Sequence, residues 1–427
     1  MKVGIYTLGC KVNTYESEYV SHILEKAGYE IASFDDLCDI YIINTCTVTN
    51  TSDVKSRKII KQAKKRNPNS CVVAMGCYIQ AKKGNEVEGA DILLGNKDKS
   101  KIVSLIEEFF NEKEQIKHIY DPLPNEFEDM YLESFQSRTR AFVKIQDGCE
   151  NFCSYCIIPY VRGKCRSKNF DTVINEIKSL VKNGFSEIVL TGIHTGNYGV
   201  DINTTFAELL KEIIKIEGLK RIRISSIEIT ELNKEVLKII KDSPIIVDHL
   251  HIPIQAASDK VLKAMNRKYN TKEYIEKIND IRTIRPNISI TTDIIAGHPG
   301  EDDESFIKSI DILKQIHFTK LHVFPYSKRE NTKSAEMEQV KEEVKKERVH
   351  QLLKLSRLFE QEYMEKFLNE TKEVLFEVTK NNESIGHTDN YLQVKVNEEI
   401  TSGSMLMVKI KKIEYPYCIG EVVHERL

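Results

Sequence analysis

Short apolar runs alternate with helical patterns along most of this chain, and that order leaves few folds open to it. Val3–Leu8, Ile40–Ile43, Val72–Met75 and Ile92–Leu94 suit buried parallel strands. Helical patterns lie between them, including Glu16–Ala27, which Ala27–Gly28 can stop, and Ser52–Arg66. Residues 1–112 are therefore expected to form an open, doubly wound α/β domain. The pattern lapses over 113–137, where Asp121-Pro122-Leu123-Pro124 and five acids up to Glu133 read as an exposed linker. From about Arg138 the alternation resumes with a longer period. Strands are expected at Phe142–Ile145, Glu187–Leu190, Arg221–Ser225, His249–Ile254, Ser289–Ile295 and Lys320–Phe324. Helical patterns such as Asp171–Lys182, Thr271–Arg285 and Asp302–Gln315 separate them. Six βα units in series predict a partial barrel over 138–368, closed or flanked by a long helical stretch, Ala335–Leu368. Residues 369–427 turn β-rich, with Val374–Thr379, Tyr391–Val396, Met405–Ile410 and Cys418–Val423 divided by turn signals such as Thr388-Asp389-Asn390. A small antiparallel β-barrel is expected there. A length of 427 residues accords with several domains.

Ten cysteines stand at 10, 38, 46, 71, 77, 149, 153, 156, 165 and 418. A chain this long does not need disulfide staples, and clustered cysteines in a reducing compartment read as metal ligands or redox groups. Cys149, Cys153 and Cys156 form a CxxxCxxC run in the loop after the first barrel strand, where active groups of such barrels sit. A cubane [4Fe–4S] cluster takes a thiolate on each iron. Three cysteines cover three irons and leave the fourth open to the amino and carboxylate groups of S-adenosylmethionine. The spacing also permits a structural zinc site with Cys165 as fourth ligand, although the eight-residue gap through Arg162, Gly163 and Lys164 is not that of a compact zinc ribbon. Cys165 is otherwise a bystander.

Cys10, Cys46 and Cys77 are distant in sequence, yet each follows an expected strand by a residue or two. In a parallel sheet all three emerge at the carboxyl edge, where open α/β domains bind ligands. They can hold another cluster there, or they are three unrelated half-buried thiols. Cys38 and Cys71 precede strands and are read as structural, and Cys418 carries no assigned role.

At these residues the chain resembles the radical S-adenosylmethionine superfamily. Tyr155 matches the aromatic before the last cysteine, and Thr191-Gly192-Ile193-His194-Thr195-Gly196 resembles the glycine-rich segment, without its usual acidic residue. His251-Ile252-Pro253-Ile254-Gln255 and Asp293 to Glu301 resemble later cofactor-contacting segments. The resemblance implies contacts to S-adenosylmethionine from Tyr155, Thr191, Gly192, Ser226, Glu228, Gln255 and Gly297. Gly297 and Gly300 equally fit turns, and Glu228 equally fits a surface acid. Phe324 and Tyr326 are candidates to stack on a base or on the cofactor, or to pack in the core.

TLGCKVNTYES (7–17), NTCTVT (44–49), Gly76-Cys77 and DGCENFCSYCIIPYVRGKCRS (147–167) together resemble the methylthiotransferases over essentially the whole chain. TGIHTGNYG (191–199), HVFPYSKRE (322–330) and GHTDNYLQVKV (386–396) look most like the branch acting on threonylcarbamoyladenosine beside the tRNA anticodon. The resemblance implies two [4Fe–4S] clusters, held by Cys10, Cys46 and Cys77 and by Cys149, Cys153 and Cys156. It further implies a tRNA anticodon loop as substrate, an electron donor such as flavodoxin or ferredoxin, a sulfur donor, and a TRAM-like RNA-binding domain at 369–427. Other branches act on isopentenyladenosine or on a ribosomal protein. A non-enzymatic metal-binding RNA-binding protein is the alternative of another class.

A formal net charge of −2 excludes a general polycation, so RNA contacts must be local. Two stretches qualify. Arg138 to Phe170 carries seven Lys or Arg against two acids, and Arg57, Lys58, Lys61, Lys64, Lys65 and Arg66 recur at helical spacing. Residues 369–427 hold ten acids against seven Lys or Arg, so either Lys409, Lys411 and Lys412 share one face or the 138–170 stretch does more of the binding. No apolar run is long enough to cross a bilayer and no leader layout opens the chain, so a cytoplasmic protein is expected.

Overall fold

The computed structural model describes residues 1–85, 87–135 and 139–423. Arg138, where the predicted barrel segment and the basic stretch begin, lies outside the described residues, as do 424–427.

Strands β1 (Lys2–Thr7), β2 (Glu30–Ala32), β3 (Ile40–Thr45), β4 (Cys71–Gly76), β5 (Ile92–Leu94) and β6 (Ile116–His118) form one parallel sheet in the order β2-β1-β3-β4-β5-β6. Helices α1 (Lys11–Lys26), α2 (Asn50–Arg66), α3 (Cys77–Lys82) and α4 (Ile102–Glu112) connect the strands. Strands β3, β4 and β5 are buried along their whole length, which is why they read as unbroken apolar runs. Ile40, Ile42, Val73 and Met75 face one core, while Tyr41, Ile43, Val72 and Ala74 face the other. The hydrophobic pattern does not foresee β2 and β6, three-residue edge strands that are only partly buried. Ile116–His118 falls in the stretch read as a linker. Because β1 lies between β2 and β3, the winding reverses there, and the loops leaving β1 and β3 bound a crevice at the carboxyl edge.

The central segment contains β7 (Ala141–Lys144), a small pair β8 (Gln146–Asp147) and β9 (Arg166–Ser167), then β10 (Glu187–Thr191), β11 (Arg221–Ile224), β12 (His249–His251), β13 (Ser289–Ala296) and β14 (Lys320–Pro325). β7, β10 and β11 form one three-stranded parallel sheet, and β12, β13 and β14 form another. A parallel bridge between Ile222 and Ile246 joins them. Helix α5 (Ile158–Arg162) follows the cysteine loop. The helices between strands start where their caps stand. Asn270 and Glu273 form a reciprocal box on Thr271–Ile284, and Asp302 accepts from Ser305 N–H at 2.9 Å ahead of Asp303–Ile316. The long helix Glu342–Glu365 packs on β14, with Ser356 Oγ accepting from Leu321 N–H at 3.0 Å.

β15 (Thr371–Lys380), β16 (Glu383–Thr388), β17 (Gln393–Val396), β18 (Met405–Glu414) and β19 (Tyr417–Val422) form a mixed sheet whose ladder runs β15-β16-β17-β19-β18 and returns to β15. The expectation of wholly antiparallel pairing is corrected here, because β17 and β19 run parallel. Strand parity forces this. β18 leaves to pair with β15, so β19, antiparallel to β18, runs in the direction of β17.

Side chains tie the three parts together. Tyr15 of α1 enters the central core and donates to Met130 O at 2.9 Å. Arg329, past β14, donates to Thr47 Oγ1 and Asp53 Oδ2 at 2.8 Å each. Arg221 donates to Glu373 O at 2.8 Å. No helix among the described residues is long and apolar enough to cross a membrane.

Candidate active site

Cys149, Cys153 and Cys156 lie on one wall of a cavity of about 350 Å³. Tyr155, Ser226, Glu228, Gln255, Asp293, Phe324 and Tyr326 also line it. Gly148 sets the loop. Its φ is +76°, and a Cβ there would stand 1.9 Å from Lys164 O. The close approach lets Cys149 N–H donate to Gly163 O at 3.0 Å, closing the loop on itself. Gly148→Ala is expected to destabilise the protein by ~2 kcal/mol or more through backbone strain and overpacking. Iron retained after anaerobic reconstitution, beside a denaturant midpoint, checks this.

Of the residues assigned to the cofactor from sequence, Tyr155, Ser226, Glu228 and Gln255 reach this cavity. Gln255 has φ +62°, a strained conformation held by a bridge to Ile294. Thr191 is buried next to Ser225, whose hydroxyl lies 3.4 Å from its Oγ1, and Gly192 packs on Gln146. Gly297 has its α-carbon against Lys345 and donates its N–H to Glu301 Oε1 at 2.8 Å. Phe324 is 45% exposed, so its ring is offered to the cavity, whereas Tyr326 is buried and its hydroxyl has no hydrogen-bond partner among the described residues.

Two residues of this site escaped the sequence reading. Arg267 pairs with Glu228 and donates from Nη1 to Cys153 Sγ at 3.4 Å. His194, within the glycine-rich string, pairs with Glu231 and lies 4.0 Å from Cys149 Sγ and 2.8 Å from the Asn197 side-chain amide. Burial disfavours its charge, but Cys149 and Glu231 outweigh that and hold its pKa at about 10. A cation beside each of two cysteines fits thiolate ligands, whose charge it offsets. Cys165 instead accepts from Gln146 Nε2 at 3.1 Å, and burial pushes its thiol up to about 11. Among the described residues no three His, Cys, Asp or Glu side chains stand close enough to share one metal ion. A zinc site completed by Cys165 is thus not assembled, while cubane ligands stand farther apart than ligands of a single ion.

Cys10, Cys46 and Cys77 each follow the last residues of β1, β3 and β4 at the same sheet edge. A Cβ on Gly9 would stand 3.1 Å from Cys46 Cβ, and a charge on Cys77 or Cys10 would raise the Cys46 thiol further above the level set by its burial. Val48 and Thr49, just past Cys46, line the cavity that holds the other trio, and Cys77 packs on Ile157 and Val161, just past Cys156. The two trios therefore border common ground. Cys38 and Cys71 are buried in the sheet and Cys418 in the carboxyl-terminal core.

Arg162, fully buried, joins the two halves. Its Nε donates to Cys77 Sγ at 3.3 Å, Nη2 to Asn13 Oδ1 at 3.0 Å and Nη1 to Glu16 Oε1 at 2.8 Å, and Nη1 lies 3.2 Å from Asp147 Oδ2. Asn13 Oδ1 in turn accepts from Cys10 at 3.5 Å. Glu16 also meets Lys144 at 2.8 Å and Lys99 at 3.7 Å, and Asp147 meets Lys144 at 2.7 Å and Arg166 at 3.7 Å. Four buried cations thus face two carboxylates, and the Lys99 ammonium has no hydrogen-bond partner among the described residues. An excess of buried positive charge is costly unless anions offset it. Thiolates at Cys10 and Cys77 would supply such anions if they held a cluster. The residues present fit a metal–sulfur group.

The same network corrects the reading of 138–170 as an RNA-facing basic stretch. Lys144, Arg162, Arg166 and Lys168 are buried in ion pairs with Glu16, Asp147 and Glu176, and within that run Lys164 is exposed. On α2, Lys61, Lys64 and Arg66 are paired with Glu88, Asp91 and Asp35. Lys411 and Lys412 are paired with Glu421 and Glu414.

Residues 143–313 match the Radical SAM superfamily and residues 2–95 match "Uncharacterized protein family UPF0004". The chain is 43% identical over 434 residues to the threonylcarbamoyladenosine tRNA methylthiotransferase MtaB of Bacillus subtilis, covering 99% of this chain and 96% of that protein. It is 39% identical to the same-named protein of Aquifex aeolicus, covering 96% of this chain and all of the relative. A tRNA-2-methylthio-N(6)-dimethylallyladenosine synthase of Natranaerobius thermophilus is 34% identical over 99% of the chain and 96% of its own length. Among solved structures, the radical S-adenosylmethionine methyltransferase TsrM of Kitasatospora setae shares the fold, with a TM-score of 0.57 at 14% identity over 78% of this chain and 77% of that one.

Proposed function

For a chain that belongs to the radical S-adenosylmethionine methylthiotransferases, in the branch modifying threonylcarbamoyladenosine of tRNA, we propose a division of labour between its two cysteine trios. The enzyme converts that nucleoside, next to the anticodon, to its 2-methylthio derivative. In this reading residues 1–112 hold an auxiliary cluster, 113–137 link, 138–368 form the radical core as a partial (βα)6 barrel, and 369–427 form a small TRAM-like barrel for RNA. The observation that carries it is the shared border: the loop after Cys46 and the helix beginning at Cys77 both meet the cysteine loop of the central segment.

Cys149, Cys153 and Cys156 would hold the [4Fe–4S] cluster of the superfamily, and Cys10, Cys46 and Cys77 a second one. When bound, the first would supply the electron that cleaves S-adenosylmethionine, a route to an adenine C–H bond that no side chain offers, and the second would supply a place to hold sulfur. Around them the protein orients and insulates. Arg267 steadies Cys153 and Glu228, His194 steadies Cys149, and Arg162 locks Cys77 to the loop of the other trio. Glu228, Gln255, Ser226 and Tyr155 supply polar and aromatic contacts for S-adenosylmethionine, with Thr191, Gly192 and Gly297 shaping the backbone behind them. Exposed Phe324 at the cavity, and exposed Phe152 on the cysteine loop with Tyr160 on α5, offer rings to an unstacked base, which an anticodon loop yields cheaply. An electron donor of the flavodoxin or ferredoxin kind and a sulfur donor complete the reaction.

Anaerobic turnover on an anticodon stem-loop bearing threonylcarbamoyladenosine tests the reading. The weighed nucleoside product should be the 2-methylthio derivative, and an isopentenyladenosine stem-loop should give little. Preference for the isopentenyl substrate would refute the assignment.

A further inference from the structure

The segment that follows β14 touches the surroundings of both cysteine trios. Ser327, which lines the cavity, accepts from Asn50 N–H at 2.9 Å, at the start of α2. Two residues on, Arg329 is buried, and its guanidinium closes on the same place. Nη1 donates to Asn50 Oδ1 at 2.7 Å, and Nη2 donates to Thr47 Oγ1 and to Asp53 Oδ2 at 2.8 Å each. Thr47 Oγ1 donates in turn to Asp53 Oδ1 at 2.7 Å, so the three residues form a closed ring. A buried guanidinium is costly unless a carboxylate and hydrogen bonds offset it, and Asp53 supplies the charge. These partners all belong to residues 47–53, directly after Cys46. Ser56, one turn further along α2, donates from Oγ to Cys46 O at 3.2 Å. The place of the pinned helix start is thereby passed to the cysteine.

The other end of the segment rests on the loop of Cys149, Cys153 and Cys156. Ser334 N–H donates to Ser154 O at 2.8 Å, and the two hydroxyls lie 2.7 Å apart. Ser154 stands between Cys153 and Cys156. His298 Nε2 lies 2.8 Å from Ser334 Oγ, and all three side chains are buried. Between its ends the segment is locked by its own turns. Thr332 donates to Arg329 O from Oγ1 at 2.7 Å, and Ala335 N–H donates to Thr332 O at 3.0 Å. Residues 327–334 are a short strap with one end beside each trio.

We propose that Arg329 is a positioning residue that sets the separation between Cys46 and the loop of Cys149, Cys153 and Cys156. The inference rests on the division of labour assigned above. Two sites that act on one base need a fixed separation, because a misplacement of about 1 Å can cost roughly a hundredfold in rate. Arginine suits the task, since its planar fork fixes three partners at once where a lysine ammonium would act as a point charge. Val48 and Thr49, on the gripped loop, line the cavity together with Ser327, so the strap also sets one wall of it.

Two readouts on full-length, anaerobically reconstituted protein test the role. In Arg329→Met, amide hydrogen exchange over 46–53 should quicken about tenfold or more, while 149–156 keeps its wild-type protection. On an anticodon stem-loop bearing threonylcarbamoyladenosine, methylthio product per 5′-deoxyadenosine released should fall about tenfold or more. Ser327→Ala removes one hydrogen bond and endangers folding least. It should move both readouts the same way by roughly two- to fivefold. If exchange over 46–53 is unchanged in Arg329→Met, or rises alike along the whole chain, the arginine does not place this loop and the proposal falls. It falls equally if product and 5′-deoxyadenosine drop in proportion. Where Arg329→Met does not fold, wild-type values of both readouts in Ser327→Ala overturn it. Iron and acid-labile sulfide of the wild type, counted alongside, show whether the two-cluster reading itself stands.

Discussion

Alanine at Cys10, Cys46 or Cys77 abolishes formation of the methylthio nucleoside, while cleavage of S-adenosylmethionine to 5′-deoxyadenosine continues at a rate within a few-fold of wild type. That is the expected result, because the two trios stand on different elements. The first rides on the loop between β7 and α5, and the second on three separate strand ends. A small side chain at any of the three sheet positions removes one ligand without touching the loop of Cys149, Cys153 and Cys156. Iron and acid-labile sulfide should fall towards half, and alanine at Cys149, Cys153 or Cys156 should instead stop cofactor cleavage altogether. Two measurements on each variant decide it, 5′-deoxyadenosine released and product mass. Product from any of the three sheet variants, or loss of cleavage in all of them, would sink the division of labour.

The fold was legible where burial is two-sided. β3, β4 and β5 are apolar runs since they are buried along their whole length, and the central strands could be placed by the same signal. Edge strands β2 and β6 gave no such signal, being short and half exposed. The direction of β19 follows from strand parity across five strands, which local pattern does not contain. The cysteines were legible as spacing and as strand-end position. Their supporting residues were not. Arg162, Lys144 and Lys168 look like any basic stretch in one dimension, and only the fold shows them buried on Glu16, Asp147 and Glu176. Net charge along a sequence window cannot tell a solvated cation from one sealed in a network. One signal was available: the acids that oppose them, Glu16 and Asp147, lie in the very strings that carry cysteines 10 and 149.

Arg162→Met is the substitution expected to cost most outside the cysteines. The side chain has no solvent exposure and touches Cys77, Asn13, Glu16 and Asp147 at once. Truncating one member of a buried ionic network leaves its partners desolvated, at a cost of roughly 3–5 kcal/mol. Glu16 keeps Lys144 and Lys99, and Asp147 keeps Lys144 and Arg166, so neither carboxylate is stranded; the loss should fall at the low end of that range. The larger consequence is at Cys77, which loses its closest donor. Hydrogen bonds and positive charge near cluster sulfurs raise the reduction potential, so the second cluster should shift to lower potential while the first stays put. Arg162→Lys keeps the charge but not the fork that spans Cys77, Asn13 and Glu16, and should recover stability better than potential. Denaturant unfolding of the anaerobic protein and a spectroscopic redox titration read the two effects separately. If Arg162→Met loses stability but leaves both potentials where they were, the arginine serves folding alone, and the link it makes between the cysteine sites is mechanical.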